Sequence, residues 1–378
     1  MARMRDSSHS RVTRRSFLQQ AAGGVLASQV AAARASAQRV PDPPGRKLGW
    51  AIVGLGSLSI NQILPAFAKC ETSRVTAFVS GSPDKARKLA ARYGVAEKNI
   101  YPYTNYEAIR DNPEIDIVYV VLPNSMHAEY TVRAAQAGKH VLCEKPMANT
   151  PAECRQMIDA ARTAQRKLMV AYRVRYEPFN QALIKVARDQ EFGPLKVVLS
   201  DHGFNIGNPD QWRLKRAMAG GGSLMDIGIY SLNAARYVTG EEPTEVSAME
   251  YTTPNDPRFR EVEETINFQL RFPSGVLANC SSSYGAPFNR IRAVGTNGWA
   301  ELEPATSYAG LRMRAGTYTK TEERLLGVVD HFAREMDHFS QCVMADTEPL
   351  TPGEEGLKDL VLMMAIYEAA KSRTTIKL

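Results

Sequence analysis

At 378 residues, with 44% hydrophobic and 23% charged residues, the chain is long enough for two separately cored domains and has ordinary globular composition. Its formal charge of +7 is concentrated at the start: residues 1–37 hold six arginines against Asp6, a net +5 that leaves +2 for everything after. That balance, with no basic stretch interleaved with aromatics, excludes nucleic acid as a partner, and no apolar run is long enough to span a bilayer.

The first predicted element is an address. Thr13-Arg14-Arg15-Ser16-Phe17-Leu18 precedes an apolar stretch over 21–33, interrupted by Ser28 and Gln29, and then Ala35-Ser36-Ala37. This order reads as a twin-arginine signal peptide over 1–37 rather than a membrane anchor. It implies export to the periplasm by the twin-arginine machinery, a route that carries proteins already folded. Residues 38–45 contain Pro41, Pro43 and Pro44 and are expected to form an extended arm.

From 46 to 172, β-branched runs at 50–53, 75–79, 117–122, 140–142 and 168–170 alternate with helical stretches. Such alternation predicts an α/β, Rossmann-type doubly wound parallel sheet. After a helix over 178–189 the pattern changes to strands at 195–200, 245–251, 265–272, 276–283, 290–295 and 299–302, two of them joined by the turn Pro273-Ser274-Gly275. Residues 173–378 are therefore expected to form an α+β domain on an open, largely antiparallel sheet, closed by helices over 325–344 and 353–372. Five cysteines (Cys70, Cys143, Cys154, Cys280, Cys342) without a C-x-x-C pair indicate neither a metal site nor a disulfide framework and read as core thiols.

The chemistry lies at the strand ends. Val53-Gly54-Leu55-Gly56-Ser57-Leu58-Ser59 follows the first strand and opens a helix, where backbone N–H groups can hold a pyrophosphate. Ser59 stands where the full fingerprint has a third glycine. At the end of the second strand, Ser80-Gly81-Ser82 offers no carboxylate for ribose hydroxyls. Ser80 can instead bond a 2′-phosphate, with charge from Lys85 and Arg87, so NADP is favoured over NAD. Cys143-Glu144-Lys145-Pro146 places a lysine at the carboxyl edge of the sheet, where ligands of open α/β sheets bind.

Together with Leu122-Pro123-Asn124-Ser125-Met126-His127 and Ala137-Gly138-Lys139-His140-Val141, that run resembles the Gfo/Idh/MocA oxidoreductases. Gly220-Gly221-Gly222-Ser223-Leu224-Met225-Asp226-Ile227-Gly228-Ile229-Tyr230 is similar to its glucose–fructose oxidoreductase branch, with a tyrosine where many members carry histidine. Further likeness lies at Gln211-Trp212-Arg213-Leu214, Pro254-Asn255-Asp256, Pro304-Ala305-Thr306 and Pro352-Gly353-Glu354-Glu355-Gly356.

The resemblance implies tightly bound NADP, held by Gly54, Leu55, Gly56, Ser57, Ser80, Lys85, Leu122, Pro123, Asn124, His127, Glu144, Lys145, Arg173, Trp212 and Arg213. It also implies Tyr230 as acid/base, sugar substrates and a homo-oligomer built through the open sheet. The arm is shorter than the one that wraps a neighbouring subunit's cofactor in that branch. Asp226 and Tyr230 are four apart and share a face if helical. Lys145 would favour the phenolate of Tyr230, and Asp226 would orient the sugar through its hydroxyls.

These residues support an oxidoreductase in which one sugar reduces bound NADP and a second reoxidises it. A dehydrogenase with exchangeable NADP, or a sugar-binding protein retaining a structural nucleotide, are the alternatives. An acid/base residue counts against the last.

Overall fold

The computed structural model describes residues 47–378, so the signal sequence and proline-bearing arm lie outside the described residues. Six strands form the first sheet: β1 (Leu48–Val53), β2 (Ser73–Val79), β3 (Ile100–Tyr101), β4 (Ile117–Val120), β5 (His140–Glu144) and β6 (Leu168–Ala171). All pair in parallel, in the order β3-β2-β1-β4-β5-β6. Every residue of β1, β4 and β6 is buried, as strands covered on both faces must be.

Among the connecting helices are α1 (Pro83–Tyr93), α2 (His127–Gln136) and α3 (Pro151–Thr163). Gly94 ends α1 in the left-handed conformation. Thr150 and Glu153 cap the start of α3 reciprocally, the Glu153 N–H donating to Thr150 Oγ1 and the Thr150 N–H to Glu153 Oε2. The segments leaving β1, β2, β4, β5 and β6 all emerge on one edge of this sheet.

Helix α4 (Pro178–Arg188) leads into the second sheet, whose nine strands are β7 (Leu195–Gly203), β8 (Glu245–Tyr251), β9 (Thr265–Arg271), β10 (Leu277–Ser283), β11 (Phe288–Gly295), β12 (Trp299–Leu302), β13 (Met313–Gly316), β14 (Thr321–Arg324) and β15 (Ile376–Lys377). Their order is β14-β13-β12-β11-β7-β10-β9-β8-β15. Only the central β7–β10 pair is parallel. The other pairings are antiparallel, including the β9–β10 hairpin whose turn closes through Gly275 N–H to Phe272 O. In β9, Ile266, Phe268 and Leu270 point inward while Asn267, Gln269 and Arg271 face out, so one face of the sheet is open. Helices α4 and α5 (Ile229–Thr239) and the last helix cover the other face.

Two closing helices follow, α6 (His331–Ala345) and α7 (Gly353–Ser372). Helix α6 starts at Asp330, which caps it by accepting from the N–H groups of Phe332 and Ala333. The expected start at 325 is not met: residues 325–330 connect β14 to the helix, and the Asp330 cap sets its first turn at His331. Although α6 follows the second sheet in sequence, it packs on the first: Phe332, Met336 and Phe339 share a core with Trp50 and Ile52, and Trp50 Nε1 donates to Ser340 Oγ at 3.0 Å. Helix α7 joins the layers through Asp359, which is fully buried, pairs with Arg236 of α5 at 2.6 Å and accepts from the Tyr172 hydroxyl at 2.6 Å. That ion pair fixes the chain just after β6. All five cysteines are buried free thiols, and among the described residues no helix is long and apolar enough to cross a membrane.

Candidate functional site

The carboxyl edge of the first sheet and the end of β7 enclose a cavity of about 1160 Å3. Gly54 follows β1 with φ +97, and a Cβ there would lie 2.2 Å from Val121 O, so this turn requires glycine. At Gly56 a Cβ would meet nothing within 4 Å. It would project from the cavity wall, into space that a dinucleotide backbone can use. Ser59 is fully buried and donates its hydroxyl to Gly54 O at 2.6 Å. The serine thus tightens the same turn from inside where the motif departs from three glycines.

At the end of β2 the lining is Ser80, Gly81, Ser82 and Lys85, without a carboxylate. Lys85 Nζ donates to Leu55 O at 3.1 Å, which ties α1 to the glycine turn. Arg87, expected to add charge, instead pairs with Asp84 on the exposed side of α1 and is not among the lining residues. The basic lining of Lys85, Lys145, Arg173 and Arg213 faces only Glu144 and Asp226 as acidic partners, an excess of positive charge that suits a pyrophosphate and a 2′-phosphate. The residues present therefore fit NADP.

Leu122, Pro123 and Asn124 line the wall after β4. Asn124 Nδ2 donates to Ala219 O at 2.9 Å and so fastens the segment before the glycine run. His127 is buried, with Nδ1 2.9 Å from Pro146 O and Nε2 2.8 Å from Leu122 O. It clamps the turn after β5 to the segment after β4, while burial depresses its pKa. Glu144 accepts from the Tyr119 hydroxyl at 2.7 Å, and burial pushes its carboxyl up.

Lys145, Asp226 and Tyr230 converge. Lys145 Nζ donates to the Asp226 backbone O, lies 3.6 Å from Asp226 Oδ1, and stands 4.7 Å from the Tyr230 ring centroid. Asp226 sits in a π-helical turn, Leu224–Gly228, that continues into α5 at Ile229, so both side chains reach the same cavity. Burial alone would raise the Asp226 carboxyl, but Arg213, Lys145 and the Tyr284 hydroxyl overturn that and hold it below the usual carboxylate value. The glycines before it have a physical reason: a Cβ on Gly222 would lie 2.1 Å from Glu263 O, and Glu263 accepts the N–H groups of Gly222 and Leu224 at 2.9 Å each.

Arg173 is buried, donates to Thr306 O at 2.6 Å and stacks against the rings of Tyr308 (4.6 Å) and Tyr230 (5.3 Å). Arg213 Nε pairs with Asp226 Oδ2 at 3.0 Å, and its guanidinium lies 4.6 Å from the Trp212 ring. Apart from Arg87, the site residues expected from sequence all line this one cavity.

Several lining residues gave no sequence signal. His202, on β7, is 5.8 Å from the Tyr230 ring. Ser231 Oγ donates to Ser281 O at 3.0 Å and accepts from His202 Nδ1 at 2.8 Å, which leaves Nε2 as an unpaired acceptor. Burial, then Arg173 and Lys145, push this imidazole down to about 3, so it is neutral. Asn289, Thr306 and Tyr308 complete the wall. Of these only Thr306 fell in a noted motif, and no local pattern marks the others.

Comparison with known proteins agrees with this architecture. The model of an oxidoreductase family with an NAD-binding Rossmann fold, GFO/IDH/MocA, matches residues 48–172, and that of the GFO/IDH/MocA C-terminal domain matches 180–301. The chain is 32% identical over 355 residues to a D-xylose 1-dehydrogenase [NADP(+)] of Haloarcula marismortui, covering 90% of this chain and 95% of that one. It is similar to the solved aldose–aldose oxidoreductase of Caulobacter crescentus complexed with glycerol, with 53% identity, TM-score 0.87, and 88% and 100% coverage. A 3-ketoreductase from Actinomadura kijaniata, solved with NADP, shares the fold at 24% identity and TM-score 0.76, over 86% of this chain and 98% of that one.

Proposed function

This chain belongs to the Gfo/Idh/MocA oxidoreductase family, and on that premise we propose that it oxidises an aldose to its lactone and reduces a second sugar in the same pocket, with NADP kept tightly bound between the two halves. The observation that carries this reading is the Lys145 ammonium set between Asp226 and the face of Tyr230, in a cavity whose far end lacks a ribose carboxylate. The relatives named as an aldose–aldose oxidoreductase and an NADP-dependent xylose dehydrogenase support it.

NADP held by the glycine turn after β1, Ser80 and Lys85 would supply the hydride chemistry, taking a hydride from one sugar carbon and returning it to another. The chain's residues handle the proton. As hydride leaves the anomeric carbon, the Tyr230 phenolate takes the proton of the anomeric hydroxyl and the lactone forms. In the return half the Tyr230 phenol gives that proton to the carbonyl oxygen of the second sugar, leaving an alcohol. Lys145 holds positive charge against the phenolate, and Asp226 accepts hydroxyl hydrogen bonds that fix the ring.

The twin-arginine signal in residues 1–37 supports export to the periplasm through that machinery, as a folded and loaded enzyme. Without a maintained nicotinamide pool there, a retained cofactor keeps the enzyme cycling. Met249 and Tyr251 lie exposed on the open face of the second sheet, which suits assembly of a homo-oligomer through that face.

Tyr230→Phe tests the reading. Nucleotide released on denaturation, identified by mass spectrometry, should be NADP(H) near one per chain in parent and variant alike. Turnover should fall on the order of 10^2–10^4-fold in the variant. Release of NAD or of no nucleotide, or a variant that keeps most of its activity, overturns it.

A further inference from the structure

The Asp226 carboxylate is held asymmetrically. Oδ2 accepts from the Tyr284 hydroxyl at 3.0 Å and is ion-paired with Arg213, whose Nε lies 3.0 Å away, so both close partners of the carboxylate's outer edge crowd that one oxygen. Oδ1 faces only Lys145 Nζ at 3.6 Å, and that ammonium is already bonded to the Asp226 backbone carbonyl. Tyr284 follows β10 and is fully buried, its ring enclosed by Ile206, Leu214, Phe259 and Val262. Ile206 and Leu214 belong to the stretch that carries Arg213, so one small apolar cluster sets both partners of Oδ2. Burial and the adjoining Asp226 charge push the Tyr284 phenol well above its ordinary value, which makes it a permanent donor.

We propose that Tyr284 is a positioning residue for sugar recognition: its hydroxyl, beside the Arg213 ion pair, engages Asp226 Oδ2 and thereby leaves Oδ1 as the acceptor for a sugar hydroxyl. The assignment rests on the sugar-oxidoreductase reading above. A carboxylate free to turn would present either oxygen, and its hydroxyl partner would bind in more than one pose. The clamped one presents a single lone-pair edge beside Lys145.

The groups facing Asp226 are Lys145 after β5, Arg213 before the glycine run and Tyr284 after β10, with Tyr230 on its own helix and Tyr308 across the cavity. Removal of the Tyr284 hydroxyl deletes one donor to the charged form, so the carboxylate protonates at higher pH.

Tyr284→Phe keeps the ring and its apolar cluster and removes that donor alone. In the purified holoenzyme, KM for the oxidised aldose should rise about tenfold or more, as expected for loss of a hydrogen bond to a charged group, while kcat changes less. The acid limb of kcat/KM should move to higher pH, and NADP(H) content should stay at the parent value. Asp226→Asn, measured alongside, separates the two ideas. If Asp226→Asn leaves the sugar KM and turnover at parent values, the reading of Asp226 itself fails. If Asp226→Asn is impaired while Tyr284→Phe shows the parent KM and acid limb, the positioning role is overturned. An equal fall in kcat and nucleotide content in Tyr284→Phe, with no shift of the limb, also overturns it, because that is the pattern of a structural residue.

Discussion

Glu335 lies fully buried on α6 with neither carboxyl oxygen hydrogen-bonded. Burial, and then the charge of Glu144, push it well above the ordinary carboxylate value, against a partial opposing pull from Arg173. The folded state therefore keeps a proton that the unfolded chain loses near pH ~4.3, and stability contributed by this group falls as pH rises from there toward the folded-state value. Glu335→Gln is neutral at every pH, so the variant should melt about 2 °C or more above the parent at pH 8, with the gap closing as pH falls toward about 4. A pH-independent gap in thermal unfolding would contradict the assignment. Nothing in the sequence distinguishes Glu335 from the charged residues that normally face solvent on a helix. Lys145, Asp226 and Tyr230 were legible because each sits in a short run at a strand or helix end that resembles a motif of the family. Tyr284 and His202 were not. They reach the site from the end of β10 and from β7, whose neighbours in sequence are ordinary strand residues.

Among the elements, the Gly220–Gly222 run before α5 decides where Asp226 stands. Gly222 meets Glu263 so closely that an added methyl must displace either the Glu263 backbone or the glycine turn itself. Gly222→Ala should cost about 1–3 kcal/mol through overpacking, read as a lower Tm by circular dichroism, and should weaken turnover by moving Asp226. An unchanged Tm would mean that the close approach is not what the glycines serve. The parallel strands of the first sheet were readable because burial on both faces leaves near-continuous apolar runs, as in β1 and β4. Strands β13 and β14 were not: Met313–Gly316 is four residues with a single large apolar side chain, and Thr321–Arg324 is a short polar ribbon with almost no inward apolar face. The start of α6 was not legible either: the apolar link 325–329 reads like a continuation of the helix, and only the Asp330 side chain accepting from Phe332 and Ala333 fixes where it begins.

At the scale of the whole molecule, the two sheets do different work on one cavity. The first supplies the glycine turn, Ser80, Lys85 and Lys145, and the second supplies Asp226, Tyr230, His202 and Arg213. The buried Arg236–Asp359 pair and α6 hold the layers in register, so in the proposed exchange both half-reactions would meet the same Tyr230. In the proposed exchange, one dinucleotide site with one sugar pocket cannot hold both sugars at the reacting carbon together, so they would bind in turn. The most direct test is a matrix of initial rates with an aldose donor and a sugar acceptor varied against each other, with no nucleotide added. Parallel double-reciprocal lines, with the donor alone producing NADPH absorbance that the acceptor then bleaches, are the predicted result. Activity that appears only when NADP is supplied would contradict retained-cofactor recycling and leave a dehydrogenase with exchangeable NADP.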